Sequence, residues 1–342
     1  MWNDTDLQKI FLNNTPLIDV RSPVEFELGI IPHSINLPII NNEERHEIGL
    51  CYKSSGKEAA TMLGHQLVSG KIKENRITLW KDNIKKNPQT EIFCFRGGLR
   101  SKITCEWLSH CGYDKTPIPG GYKRMRNFFL SLLNESPIPP IYRIGGLTGT
   151  GKTSLLKFFP NHIDLEECAH HRGSAFGNRG KQPTQVTFEN QLAFEILKMK
   201  KYSHFFLEDE SINIGSIIIP NRFYQEMRQA PIIFLETPIE ERISNIYKDY
   251  VLQKDVTFFS HAVEKISRRL GGLRTKDLQD KIQQAFAKGD KLTHHQEWIS
   301  ILLKDYYDVI YQRNLLKQQN LIQFQGTKSE ILDWIKSLYL SK

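Results

Sequence analysis

Short apolar runs alternate with helical spacings along the first third of this chain. PLIDV at 16–20 and EIFCF at 91–95 are compact apolar runs of strand length, the pattern of strands covered on both faces. ATMLGHQLV at 60–68 and SKITCEWLSHCG at 101–112 carry apolar residues at helical intervals, with Ile103, Trp107 and Cys111 four apart. This alternation predicts a small α/β domain around a parallel sheet. The pattern starts afresh further on, where IYRI (141–144), FFLED (205–209) and IIFLE (232–236) read as buried strands. Beyond residue 238 helical spacing dominates, and Trp298, Leu302, Tyr306 and Val309 predict one long amphipathic helix.

Between the two patterns lies NESPIPPIYRIGG. Pro137, Pro139 and Pro140 cannot sit inside a helix or a central strand, so this is a linker. The division predicted is 1–135 and 136–342, and 342 residues suit two domains. Composition changes the picture little: 39% hydrophobic and 25% charged residues are ordinary globular values. No apolar run is long enough for a membrane span, and MWNDTDLQKIFLNN does not read as a signal peptide. Five cysteines with no C-x-x-C pair argue against a disulfide scaffold or a zinc site and fit a reducing cytoplasm. A net charge of +8 favours a polyanionic partner.

Two loops carry chemistry. GGLTGTGKT contains G-x-x-x-x-G-K-T, from Gly146 through Gly149, Thr150 and Gly151 to Lys152 and Thr153. Glycines let successive N–H groups point at phosphate oxygens, the lysine adds positive charge, and the threonine hydroxyl can hold Mg²⁺. A carboxylate at the end of a neighbouring strand is expected to hold the metal or its water, and FFLEDES supplies Asp209 as the favoured residue beside Glu208 and Glu210. No base-recognition pattern accompanies the loop, so it indicates phosphate or diphosphate without naming the bearer.

The second loop is CFRGGLRS. Cys94 ends a strand and opens the turn into a helix, where the helix N-terminus with Arg96 and Arg100 favours a thiolate. Gly97 and Gly98 free the backbone to ring the sulfur with donors, and Ser101 closes the loop. The spacing also reads Cys-x5-Arg-Ser, a phosphatase pattern in which that ring would hold a phosphoryl group. Cys105 and Cys111 read as packing residues, and burial is also expected of Cys51 and Cys168. Two further segments are candidate RNA or phosphate contacts: His171 and Arg172 in AHHRGSAFG, and Arg268, Arg269 and Arg274 in EKISRRLGGLRTK. Asp19, Arg21 and Glu25 are expected to fix a turn through charge-assisted hydrogen bonds.

LIDVRSPVEFELGIIPHSINLP (17–38), the Cys94 loop and IPGGYKRMRNF (118–128) resemble the rhodanese domain. The order DVRSPVEF, NNEERHEIGLCYKSSG, CFRGGLRS, GGYK, IGGLTGTGKT, DLEECAHHRGSAFG, FLEDES and RRLGGLR resembles the bacterial tRNA 2-selenouridine synthase family over roughly residues 15 to 340. The resemblance implies an α/β chain with an N-terminal rhodanese-like parallel-sheet domain and a C-terminal P-loop NTPase-like α/β domain with a helical C-terminal region. It implies replacement of sulfur by selenium in wobble 2-thiouridine, in the anticodon region of tRNA. Geranyl diphosphate would form an S-geranyl intermediate, and selenophosphate would donate the selenium. Cys94 is then the expected selenium carrier, as a perselenide, and the phosphate loop the expected diphosphate holder. No tightly bound cofactor is expected, with Mg²⁺ a candidate helper.

Overall fold

The computed structural model describes residues 3–340 apart from Ala175. The chain forms two compact units. The first takes residues up to Pro137 together with Pro183–Lys198, and the second takes Ile138–Gln182 with the chain from Met199 onward. The linker prolines thus lie at the division. The helix Gln185–Met199 is different: the sequence reading placed it in the second domain, whereas nearly all of it counts with the first unit. Its contacts explain why. Asn190 donates to the Ile30 carbonyl at 2.8 Å, Thr187 accepts from the Ile30 N–H at 3.0 Å, and Arg126 pairs with Glu189. The Phe194 ring meets His33 and Phe11 edge-on.

In the first unit three parallel strands run in the order Ser34–Asn36, Leu17–Asp19, Glu91–Phe93. Leu17 stands opposite both Ser34 and Glu91, and Ile18, Ile92 and Phe93 are fully buried, as expected of a parallel strand with covered faces. The helix Leu99–Ser109 starts just beyond the third strand and stops before Cys111. Cys111 is therefore exposed in the turn that follows, not a packing residue on the Ile103 and Trp107 face. Cys105 is buried as expected, while Cys51 and Cys168 are only half-buried. Asp19 and Arg21 form a buried pair at 2.6 Å, and Arg21 also donates to the Gly29 carbonyl, so these residues fix the turn as read.

The second unit holds a five-stranded parallel sheet in the order Ile322–Gly326, Ile232–Leu235, Ile141–Gly145, Phe205–Glu208, His162–Ile163. The phosphate-loop strand is central. Its neighbour Phe205–Glu208 places Ile144 opposite Glu208. The edge strand Ile322–Gly326 lies in the region read as helical; its alternation of half-buried and exposed positions lacks the apolar run that marks the inner strands. Beyond residue 238 the remainder is mostly helical and packs around Phe259, Val263, Ile282, Trp298 and Leu303. The single helix predicted through Val309 runs unbroken from Leu292 to Leu316 and carries a π-helical segment, Leu303–Tyr307, inside it. The wider turn rotates the apolar face, so Tyr306 is buried while Val309 is exposed. No helix among the described residues is long and apolar enough to cross a membrane.

Candidate functional site

In the first unit, Cys94 follows its strand directly and is 3% exposed. Its Sγ lies 3.1 Å from the Ser101 hydroxyl. The loop is held from behind: Tyr122 and Lys123 N–H groups donate to the Cys94 and Phe95 carbonyls, both at 2.9 Å. Two glycines are demanded here by backbone proximity. At Gly97 (φ +65°) a Cβ would lie 2.7 Å from the Ile118 carbonyl, and at Gly121 (φ +50°) it would lie 2.1 Å from the Cys94 carbonyl. The two arginines expected to face the sulfur have other partners. Arg100 donates to both Glu25 oxygens at 2.5 and 3.0 Å, and Arg96 stacks over the Phe95 ring. Burial would raise the Glu25 carboxyl, but the hydrogen bonds and charge of Arg100, with Ser22, bring it down to about 2. The guanidinium that a phosphatase would turn on its substrate is thus committed to Glu25. Burial meanwhile pushes the Cys105 thiol up to about 12, which leaves it inert.

In the second unit, Gly145 ends the strand, Gly146–Gly151 form the loop, and the helix Lys152–Leu156 begins at once. Gly149 and Gly151 adopt φ of +81° and +85°, as the turn of a phosphate cradle requires. Thr150 braces the loop by donating to the Leu147 carbonyl. Lys152 Nζ lies across the loop, 3.0 Å from the Gly146 carbonyl and 3.3 Å from that of Leu147. The rear of the loop is clamped. Arg242 donates to the Thr148 carbonyl and is itself held by Asp308, while Asn245 donates to the Gly149 carbonyl at 2.9 Å. Sequence reading missed these supports, because nothing in local spacing connects residues 242 and 308 to a loop at 148.

The carboxylate assignment changes. Asp209 pairs with Arg143 at 2.7 Å and Arg228 at 2.9 Å, and it meets the phosphate loop through Tyr311, whose hydroxyl donates to Asp209 at 3.4 Å and accepts from the Gly146 N–H at 3.0 Å. Arg143 sits fully buried on the phosphate-loop strand and takes Asp209 as its counter-charge. Glu208, one residue earlier, meets Thr153 instead, and its Oε1 is buried without a hydrogen-bond partner. Glu166, Glu208 and Glu210 offer carboxylate oxygens all within 4.8 Å of one another. Burial, then the charges of Glu208 and Glu210, push Glu166 up to about 9, with Lys152 opposing. Burial and the Glu208 charge push Glu210 up to about 8, and burial likewise raises Glu208 against Lys152 and Thr153. Three such groups fit a hard divalent cation, which would replace the protons they otherwise hold. Glu166 follows the helix N-cap Asp164 by two residues, and nothing in sequence distinguishes it from its acidic neighbours Asp164 and Glu167.

The AHHRGSAFG segment borders this cluster, since a Cβ on Gly173 would lie 2.6 Å from a Glu210 oxygen. His171 accepts from the Gly173 N–H, and burial followed by the charges of Lys265 and Arg179 lowers its pKa. Arg172 is drawn off to the Asp249 carbonyl and the Tyr250 ring, not left free for a ligand. Arg268, Arg269 and Arg274 remain exposed on the helices Val256–Leu270 and Gly272–Ala287.

Comparison with known proteins matches this architecture. Residues 139–341 fit the tRNA 2-selenouridine synthase AAA domain family, and residues 4–124 fit the rhodanese-like domain family. The tRNA 2-selenouridine synthase of Shewanella frigidimarina (strain NCIMB 400) is 39% identical over 350 residues, covering 96% of either chain. The synthase of Pseudomonas fluorescens (strain Pf0-1) is 39% identical, covering 97% of either chain, and that of Bordetella petrii (strain ATCC BAA-461 / DSM 12804 / CCUG 43448) is 38% identical, covering 96% of this chain and 94% of its own. With a cysteine loop in one unit, a phosphate loop in the other and relatives alike from end to end, this chain is a member of the tRNA 2-selenouridine synthase family.

Proposed function

We propose that this chain exchanges sulfur for selenium at the wobble 2-thiouridine of tRNA in two steps, one for each loop. In the first, the thiocarbonyl sulfur bonds to the allylic carbon of geranyl diphosphate as the carbon–oxygen bond breaks. Diphosphate leaves and the base loses its N3 proton. In the second, selenium from selenophosphate bonds to C2 as the C2–sulfur bond breaks. The geranyl group departs with sulfur as geranylthiol, and water takes the phosphoryl group as phosphate. Cys94 is the residue we assign to handling the selenium. The allylic ester carries its own driving force, so the first step needs no ATP hydrolysis.

The observation that carries this reading is Lys152 and the Thr153–Glu208 contact at the phosphate loop, in the same chain as a buried, loop-held cysteine. Lys152 would leave the Gly146 and Leu147 carbonyls for the phosphate oxygens and stabilise charge developing on the leaving group. Thr153, Glu208, Glu210 and Glu166 are the residues that would hold Mg²⁺, and Oε1 of Glu208 is the buried atom such an ion would satisfy. When bound, the ion supplies positive charge opposite the diphosphate. The exposed Arg268, Arg269 and Arg274 are the proposed tRNA phosphate contacts.

The test is mass spectrometry of a 2-thiouridine anticodon stem-loop incubated with the protein and geranyl diphosphate. A gain of one geranyl group that disappears in Lys152→Ala supports the assignment. Transfer that survives Lys152→Ala removes the phosphate loop from the first step.

A further inference from the structure

The first unit carries a cavity of about 810 Å³ that the reading above leaves without a role. Its volume falls within the roughly 300–1,000 Å³ of small-ligand clefts. The walls are aliphatic, with Ile40, Ile48, Leu50, Leu99 and Ile103 around the Trp107 ring. Leu50 and Leu99 are 54% and 47% exposed, so large apolar side chains face an open space. Charge around the cavity is one-sided. Arg45, Lys53 and Lys57 line it, and its single acidic residue, Glu25, is neutralised by Arg100 and Arg45.

This cavity shares a wall with the end of the cysteine loop. Leu99 and Arg100 lie immediately before Ser101, whose hydroxyl touches the Cys94 sulfur. Ile39, Ile40, Val68 and Trp107 line the cavity and share one core with Cys94. A ligand seated here therefore lies against the loop that carries the thiol.

Resting on the two-step reading, we propose that this cavity binds the prenyl chain of the S-geranyl uridine while its C2 is presented at the Cys94 loop. The occupant must combine a branched aliphatic tail with a polyanionic carrier, because aliphatic walls meet a basic rim. An RNA-linked prenyl group has both: the tail fills the walls, and phosphates flanking the modified base meet Lys53 and Lys57. Free geranyl diphosphate shares the tail and is the competing occupant to be distinguished.

The experiment uses the full chain and two fluorescent anticodon stem-loops, one bearing synthetic S-geranyl-2-thiouridine and one bearing 2-thiouridine. Anisotropy should show the geranylated probe bound at least tenfold more tightly by the wild type. In the double variant Leu50→Gln with Leu99→Gln that ratio should fall to about one, with 2-thiouridine stem-loop affinity unchanged. Leu50→Met with Leu99→Met should restore the ratio. The KM for geranyl diphosphate in geranyl transfer should not move in either variant. A ratio that survives the glutamine variant overturns the proposal, and a raised KM for geranyl diphosphate assigns the cavity to the donor instead. Failure of the two-step reading looks different: the wild type then transfers no geranyl group to the 2-thiouridine stem-loop, whatever the binding ratio.

Discussion

Adjacent carboxylates at the end of one strand should respond to mutation with opposite signs. Asp209 is the counter-charge of Arg143, which is fully buried, while Asp209 itself is 8% exposed. Removing one partner of a buried pair costs roughly 3–5 kcal/mol, because the other charge is left desolvated. Arg143 would keep Gln318 and the Ala230 and Arg228 carbonyls, so the lower end applies to Asp209→Ala. At about 2–4 °C per kcal/mol for a unit of this size, ~3 kcal/mol lowers its melting transition by roughly 6–12 °C. Glu208→Gln does the reverse. It removes a carboxylate whose charge burial disfavours, and the amide oxygen can still accept from Thr153, so the transition should hold or rise. Geranyl transfer should nevertheless fall at least a hundredfold, because a carboxylate that would hold Mg²⁺ has been replaced by a neutral amide. Scanning calorimetry and the stem-loop mass assay read both variants on the same preparations. An Asp209→Ala protein that melts normally, or a Glu208→Gln protein that transfers normally, refutes the division of labour between these two residues.

Other outcomes follow from the same geometry. Cys94→Ala should abolish selenium incorporation while leaving geranyl transfer within about twofold, read by mass spectrometry of the two RNA products. Gly121→Ala should produce the same split together with a lower melting transition of the first unit, because its Cβ would collide with the Cys94 carbonyl. Glu166 and Glu210 titrate near 9 and 8 when folded against 4.5 unfolded, so the folded state binds the extra protons. Stability from this cluster is full below about pH 4.5 and is lost as pH rises through 8 to 9. Mg²⁺ should accordingly raise the melting temperature more at pH 9 than at pH 6, and an equal rise at both would count against the site. Brief alkylation of the native protein followed by peptide mapping should label exposed Cys111 well before buried Cys105.

Both chemical loops were legible in sequence because each is local. Glycine spacing, one lysine and one cysteine at strand ends specify backbone geometry within ten residues. Selecting among Glu208, Asp209 and Glu210 was not local. Successive strand residues face opposite sides, and the parity was set by Arg143, 66 residues away, claiming Asp209. The same limit hid the Arg242–Asp308 clamp and the placement of Gln185–Met199. Every residue of that helix is buried or half-buried, so its own pattern does not say which core it serves, and contacts such as Arg126 to Asn190 reveal its home. The strand Ile322–Gly326 escaped because a sheet edge needs less apolar cover than its centre.

The helix Gln185–Met199 has a consequence for how this protein is made. Nearly all of it belongs to the first unit, yet it is complete only roughly 60 residues after that unit's first stretch ends at Pro137. During synthesis the ribosome delivers the first sheet and its Cys94 loop without the side chains that bond Ile30 and Arg126. At about 5–20 residues per second the missing helix arrives roughly 3–12 s later, after the phosphate loop has already emerged. The two units are therefore interleaved in time. A gene fragment ending at codon 137 would express the rhodanese-like domain without its last helix.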